Sequence, residues 1–181
     1  MAKNIASKAL LWYSVKQLQN RSRHNMKLYF KQRLFSWFDS YDIYDEEGNT
    51  VYTVKGEFSL GHKLPIYAPN GEYLGRIQER ILTLLPKFEI YIHGRYMGEI
   101  KKEFSLFTPR FTLDCRDWEI EGDIFGWDYT VTSRNHGHIM SVSKELFRLT
   151  DTYVLDIADP ENALLCLMIV LAIDAEACSN D

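Results

Sequence analysis

The segment FSLGHKLPIYAPNGEYLGRIQER, residues 58–80, is one copy of a 23-residue repeat that decides the fold. Copies begin at Phe35, Phe58, Ile81 and Phe104. Turn glycines recur at the same interval, at Gly48, Gly71 and Gly94. Glycine supplies the positive φ that tight hairpin turns require. The repeat therefore predicts a series of β-hairpins joined by corners.

The hairpins continue beyond the strict repeat, because Phe104, Phe125 and Leu146 follow one another at intervals of 21 residues. The predicted strand pairs are 41–44 with 50–56, 63–67 with 72–79, 87–92 with 95–102, 110–114 with 117–122, and 126–132 with 138–144. Further strands are predicted at 28–36 and 152–157. We therefore expect a mainly β fold, an antiparallel closed barrel of about twelve strands.

The second strand of each early hairpin breaks the usual alternation of side chains. Apolar residues align at two positions three apart, which are Val51, Leu74 and Met97, and Val54, Ile77 and Ile100. Residues three apart in a strand point to opposite faces. Gly75 and Gly98 lie between them, so a β-bulge is predicted that returns both apolar residues to the interior.

The end of the chain has a different pattern. Asp159-Pro160-Glu161 is a helix start, with an N-cap carboxylate and proline at the first helical position. Residues 163–173 are all apolar or cysteine. A helix that is apolar on every side must be surrounded, and eleven residues span only about 16 Å of a hydrocarbon core about 30 Å thick. The sequence predicts a buried helix threading the barrel, with no transmembrane segment.

Composition places the bulk of the chain in one domain. Its 181 residues are 46% hydrophobic and 14% aromatic, and the net charge is −4. Eight Lys or Arg precede the first acidic residue, Asp39, so the remainder carries about −12. An acidic body argues against nucleic acid as a partner. The three cysteines, Cys115, Cys166 and Cys178, form no C-x-x-C motif, which indicates a reducing, cytoplasmic setting.

Residues 1–25 form a basic N-terminal extension to a barrel domain at 26–181. A basic amphipathic helix is one interpretation of this extension, and it would contact anionic lipid head groups at a membrane surface. The candidate lipid-binding residues are Lys3, Lys8, Lys16, Arg21 and Arg23. The alternative is a poorly ordered or non-native segment upstream of Met26.

The corner motifs and the ending together resemble a known family. The corners are KGEFSL at 55–60, KKEFSL at 101–106 and SKELF at 143–147, and LDIAD at 155–159 precedes the apolar helix. With this order the chain resembles the LURP-one-related proteins of the bacterial YxjI type, from about residue 26 onward. The resemblance implies the Tubby C-terminal-like fold, a barrel of roughly twelve strands around a central hydrophobic helix. It implies no established activity, and no site residue is carried over.

Several motifs contain some, but not all, of the residues that a metal site or a catalytic site needs. Asp117, Glu119, Glu121 and Asp123 alternate along one strand, which favours a solvated acidic face over a Ca²⁺ site. Histidines in turns, such as His136 and His138, lack a third ligand at metal-site spacing. The S-x-x-K string at 141–144 lies in a predicted strand and has no companion motif. We predict no catalytic residues, no metal and no cofactor.

The sequence thus favours a non-enzymatic binding or scaffold domain that contacts anionic phospholipid at a membrane surface or a protein partner, in the cytoplasm or at the membrane periphery. One alternative is a small-ligand-binding protein or enzyme with a groove at the barrel mouth. A second is a scramblase-like lipid protein. The oligomeric state is left open.

Overall fold

The computed structural model describes residues 25–31, 40–57, 59–105, 110–145 and 152–178. The predicted N-terminal helix and its five candidate lipid-binding residues lie outside these ranges. The strands in the described ranges are β1 Met26–Lys31, β2 Ser40–Tyr44, β3 Thr50–Lys55, β4 Lys63–Tyr67, β5 Tyr73–Glu79, β6 Lys87–Ile92, β7 Arg95–Glu103, β8 Arg110–Leu113, β9 Trp118–Asp123, β10 Asp128–Ser133, β11 Gly137–Glu145 and β12 Thr152–Ile157.

These twelve strands of the described ranges form a closed antiparallel barrel in which each strand pairs with its neighbours in sequence. Closure comes from β1 and β12, which pair over six residues from Met26↔Ile157 to Lys31↔Thr152. The predicted closed barrel is confirmed. Full closure removes the sheet edges that would otherwise be open to pairing with another chain.

Irregular pairing in β5 and β7 confirms the two predicted bulges, and β3 has a third that was not predicted. Ile43 pairs with Tyr52 while Tyr44 pairs with Thr50, which leaves Val51 as the extra residue. The same shift occurs at Leu74 and at Met97, and an unpredicted one occurs at Ile139. The inner residues Val54, Ile77 and Ile100 are fully buried. The prediction that both apolar sets face the core is wrong for Met97, which is exposed.

The core of the barrel is a helix, α1, at Ala163–Cys178, preceded by a 3-10 turn at Pro160–Asn162. The Asp159 carboxylate accepts a hydrogen bond from the Glu161 N–H at 3.0 Å, as an N-cap does. Residues Cys166 through Ala172 have no exposed surface, so every face of α1 is covered by strands. The buried central helix is confirmed. No helix among the described residues has both the length and the hydropathy of a membrane span.

Antiparallel order gives the barrel two distinct ends. The connections after β2, β4, β6, β8 and β10 lie at one end, which we call the hairpin end. Those after β3, β5, β7, β9 and β11 lie at the other, the corner end. Since β12 runs towards the hairpin end, α1 enters there and finishes at the corner end.

Candidate functional site

The corner end carries most of the exposed apolar surface found in the described residues. Eight large apolar side chains are exposed in that part of the chain, and six of them lie in corner connections. We call these six the corner rim: Leu60, Ile81, Leu82, Leu84, Phe104 and Phe125. Leu60 is 81% exposed and Phe104 79%, and both Leu82 and Leu84 are fully exposed. Exposed apolar side chains gathered on one surface are typical of an interaction site.

The most prominent part of the corner rim is the connection between β5 and β6. We call residues 80–87, which are this connection and the first residue of β6, the finger loop. Its two ends are joined by a hydrogen bond from the Arg80 N–H to the Lys87 carbonyl at 2.8 Å. The Thr83 hydroxyl lies 3.1 Å from the Arg80 carbonyl and 2.8 Å from the Leu85 carbonyl. A further bond joins the Pro86 carbonyl to the Lys102 N–H at 3.0 Å. The loop therefore has a defined shape that holds its leucines outward.

Leu82 has a backbone conformation that leucine rarely adopts. Its φ is +62°, in the left-handed region, where the Cβ atom is crowded by the following carbonyl oxygen. No burial compensates, because the side chain is fully exposed. Backbone strain of this kind occurs at functional sites, and among the described residues His93 and Trp127 also have a positive φ.

The finger loop is also bounded by positive charge. Arg80 and Lys87 flank the run Ile81-Leu82-Thr83-Leu84-Leu85-Pro86, which contains no acidic residue. The Arg80 guanidinium is 3.8 Å from Glu89 and 4.0 Å from Glu99, both on the barrel wall, and its side chain remains half exposed. The tip is therefore apolar, and its base carries two basic side chains, of which Arg80 is partly compensated by Glu89 and Glu99.

Ionisable groups occupy the barrel mouth inside the corner rim. Lys102 of β7 contacts buried Glu176 of α1, with Nζ 2.6 Å from Oε1. Burial raises the pKa of the Asp174 carboxyl to about 7. Burial raises the pKa of the Tyr129 hydroxyl on β10, and the nearby negative charge of Asp174 raises it further by a smaller amount. The Tyr129 hydroxyl is buried with no hydrogen-bond partner among the described residues.

A cleft in the barrel wall is a second candidate site. Strands β8 and β9 share one residue pair in the described chain, Thr112↔Glu119, and separate elsewhere. The cleft has a volume of about 480 Å³, within the range of ligand pockets. Its floor includes Phe111 and Trp118, and its rim carries three arginines and four acids: Arg110, Arg116, Arg134, Glu103, Asp117, Glu119 and Glu121.

Three of the four carboxylates of the predicted acidic face are exposed on β9, whereas Asp117 precedes the strand and is half-buried. Trp118 and Ile120 are buried, while Glu119, Glu121 and Asp123 are exposed. Glu119 accepts from the Arg134 Nε at 2.8 Å. Bonds from the Ser133 hydroxyl and the Asn135 N–H hold the pKa of Asp117 below its usual range, although partial desolvation opposes them. Within the described ranges, no three His, Cys, Asp or Glu side chains are arranged to hold a metal.

The other candidate motifs lie apart. His136 and His138 are exposed in and beside the turn between β10 and β11. His138 Nε2 is 3.4 Å from the Ser141 hydroxyl. Ser141 and Lys144 are both in β11. Among the described residues, no group of three metal-binding side chains occurs there.

Sequence reasoning missed the finger loop, although a signal was present. The 23-residue interval aligns Leu82 with Ser59 and Ser105, so one copy of the corner replaces serine by leucine. A leucine at a position where the other copies have a small polar residue indicates an exposed apolar group.

These features define a class of protein. It is a closed barrel that is filled by a central helix, with an apolar rim, and the surfaces available for binding are external. A model of the LURP-one-related family matches residues 26–174. The chain belongs to this family. It is 34% identical to the Bacillus subtilis (strain 168) protein YxjI over 150 residues, which cover 82% of this chain and 92% of that protein.

A solved structure shares the fold. The chain resembles an Arabidopsis thaliana protein of known X-ray structure with a TM-score of 0.60, covering 86% of this chain and 93% of that one. Their sequences are 14% identical, so the likeness concerns the fold alone.

Proposed function

We propose that this protein is a non-enzymatic binding domain that attaches to anionic membrane surfaces through the corner end of its barrel. The observation that carries the proposal is the corner rim, where six of the eight exposed large apolar side chains of the described residues lie. Side chains of this kind gain about 1.5–3 kcal/mol each when fully buried. A membrane surface offers such burial without requiring a complementary protein. A cytoplasmic location at the membrane periphery is part of this proposal.

The filled interior supports an external mode of binding. Seven successive residues of α1, Cys166 to Ala172, have no exposed surface, so α1 occupies the space that a lumenal ligand would need. Lipid scrambling by insertion of α1 requires the helix to leave the barrel. We therefore place the scramblase-like hypothesis last.

The basic N-terminal extension supplies a second attachment in this proposal. Lys3, Lys8, Lys16, Arg21 and Arg23 each contribute about 1 kcal/mol when close to an anionic surface. The extension joins β1 at the hairpin end, opposite the corner rim. Its 24 residues before Asn25 can extend to about 80 Å, several times the length of a six-residue strand at about 20 Å, so both attachments can act together.

Co-sedimentation with vesicles tests this function. We expect the full chain to bind phosphatidylserine-containing vesicles more than pure phosphatidylcholine vesicles, and less at about 1 M than at about 0.1 M salt. Residues 26–181 should bind more weakly but with a smaller salt dependence, because they rely on the corner rim. Equal and negligible binding of both chains to both vesicles would overturn the proposal.

The cleft between β8 and β9 supports a second candidate, small-ligand binding. Its volume is that of a ligand pocket, and Arg116 lies over the Trp118 ring with its Cζ 6.0 Å from the ring centre. A ligand bound there would raise the melting temperature. Ligand-induced stabilisation that disappears in Arg116→Ala is the observation that would favour this function.

A further inference from the structure

We propose that the finger loop, residues 80–87, inserts Leu82 and Leu84 into the acyl-chain region of an anionic bilayer and anchors the barrel by its corner end. The inference rests on the proposed function and names the residues that make its apolar contact.

Exposure of the two leucines favours lipid as the occupant. Leu82 and Leu84 are fully exposed, so each projects alone without contact to its neighbours. A protein interface needs a surface that packs at the density of a protein interior. Fluid acyl chains adapt to separate projecting side chains, and a loop tip of this form therefore matches a bilayer better than a folded partner.

The backbone of the finger loop is shaped before any contact. The bond between Arg80 and Lys87 closes its base, and the Thr83 hydroxyl lies close to the Arg80 and Leu85 carbonyls and donates its one proton to one of them at a time. Each of these two bonds satisfies a carbonyl group that would otherwise need water, which lowers the cost of burying the loop. They also maintain the left-handed φ of Leu82. Preorganisation reduces the entropy lost on binding.

The base of the loop carries two basic side chains that suit an anionic surface, although Arg80 is already 3.8 Å from Glu89 and 4.0 Å from Glu99. Arg80 and Lys87 stand at the base of the loop, about where lipid phosphates would lie when the tip reaches the acyl chains. The neighbouring corner adds Leu60, and Gly61 of that corner lies against Ile81, whose Cγ2 is 3.0 Å from the place of a Cβ on Gly61. The two corners are therefore adjacent at the same end of the barrel.

Vesicle binding by purified variants of the full chain tests the anchor. Leu84→Ser should lower the partition coefficient onto phosphatidylserine-containing vesicles roughly ten-fold, the effect of one buried leucine, at both low and high salt. Leu82→Gly keeps the left-handed backbone and should act similarly. Lys87→Gln should weaken binding about five-fold at low salt and not at high salt. The matched control is Met97→Ser, an exposed apolar residue at the hairpin end, which should bind as the unaltered chain does.

Depth is measured separately, by the added fluorescence in Leu84→Trp and its quenching by lipids brominated on the acyl chain. Strong quenching supports insertion. Three results would overturn the inference and leave the proposed function standing: unaltered binding by Leu84→Ser and Leu82→Gly, equal loss in Met97→Ser, or no quenching. A change from dimer to monomer in Leu84→Ser without vesicles would also overturn it, because the occupant would then be a second copy. Absence of binding by the unaltered chain would instead refute the proposed function.

Discussion

Leu82 combines two unfavourable properties at one residue, since its φ is +62° and its side chain is fully exposed. The left-handed region costs a residue with a Cβ roughly 1–2 kcal/mol, and an exposed leucine recovers none of it. Leu82 is therefore a residue at which stability has been lost for another property, which in our proposal is membrane contact.

We expect Leu82→Gly to raise the free energy of unfolding by about 1 kcal/mol, because glycine accepts positive φ and the relief exceeds its extra entropy in the unfolded chain. Urea denaturation measures the change. Leu84→Gly is the matched control, equally exposed but without positive φ, and it should be destabilised by about 0.5 kcal/mol. Destabilisation of both variants by the same amount would show that Leu82 is not strained.

Asp174 should make the barrel less stable as pH rises. Burial raises the pKa of this carboxyl from 3.8 to about 7 in the folded chain. Between these two values the carboxyl is ionised in the unfolded chain and protonated in the folded one, and rising pH therefore favours unfolding. Below about pH 4 the Asp174 carboxyl does not change the free energy of unfolding. Near pH 7 the destabilisation is complete, and it lowers the free energy of unfolding by at most about 4 kcal/mol. Asp174→Asn should lack this fall and be the more stable protein above pH 7.

Urea titrations of the Asp174 variant and the unaltered chain across this pH range provide the measurement. Asp128→Asn, at an exposed carboxylate, should follow the unaltered chain at every pH. If the curve of Asp174→Asn runs parallel to that of the unaltered chain, the Asp174 carboxyl is not the group responsible.

At the scale of elements, the contact between α1 and the wall depends on Gly75 in β5. A Cβ at this position would meet the Tyr91 carbonyl oxygen and would lie 2.6 Å from Met168 Cε of the helix. The helix and the wall approach closely here because one side chain is missing. The same glycine adjoins the Leu74 bulge, so it serves both the register of β5 and the seating of α1.

Gly75→Ala should lower the free energy of unfolding by about 2–3 kcal/mol, because the backbone of β6 or the helix must move. Gly94→Ala is the comparison, with open space around its Cβ and a φ of +78°, and it should cost about 1 kcal/mol from backbone conformation alone. Chemical denaturation of both variants measures the difference. A cost for Gly75→Ala no greater than that for Gly94→Ala would contradict the close approach.

The elements were largely predictable because their signals are local. Turn glycines fix the hairpins, and Asp159 with Pro160 fixes the start of α1. Side-chain burial at the end of α1 was not predictable. Asp174 and Glu176 look like a polar helix end in the sequence, but Glu176 is buried against Lys102, which lies 74 positions earlier. Contacts between residues so far apart leave no periodic signal.

At the scale of the whole molecule, the 23-residue repeat predicted the barrel and the apolar C-terminal run predicted the central helix. The candidate site was not predicted from the sequence. The charge asymmetry predicted lipid-binding residues within 1–25, and those residues lie outside the described ranges. The corner rim is assembled from four connections that meet only when the barrel closes, at Leu60, Ile81–Leu84, Phe104 and Phe125. Apart from Leu82, which replaces the serine of the other corners, these residues have no signal in their own segments, and only their common end makes them a surface.

Closure by β1 and β12 around a helix that follows them both has a consequence for biosynthesis. The pairing Met26↔Ile157 joins residues 131 positions apart, and α1, which the wall must enclose, is translated after every described strand. The wall therefore cannot close around the helix until α1 has been synthesised. Folding of this protein should be slow, as topologies rich in distant contacts are, and the nascent strands should need protection from aggregation until α1 is available to fill the barrel.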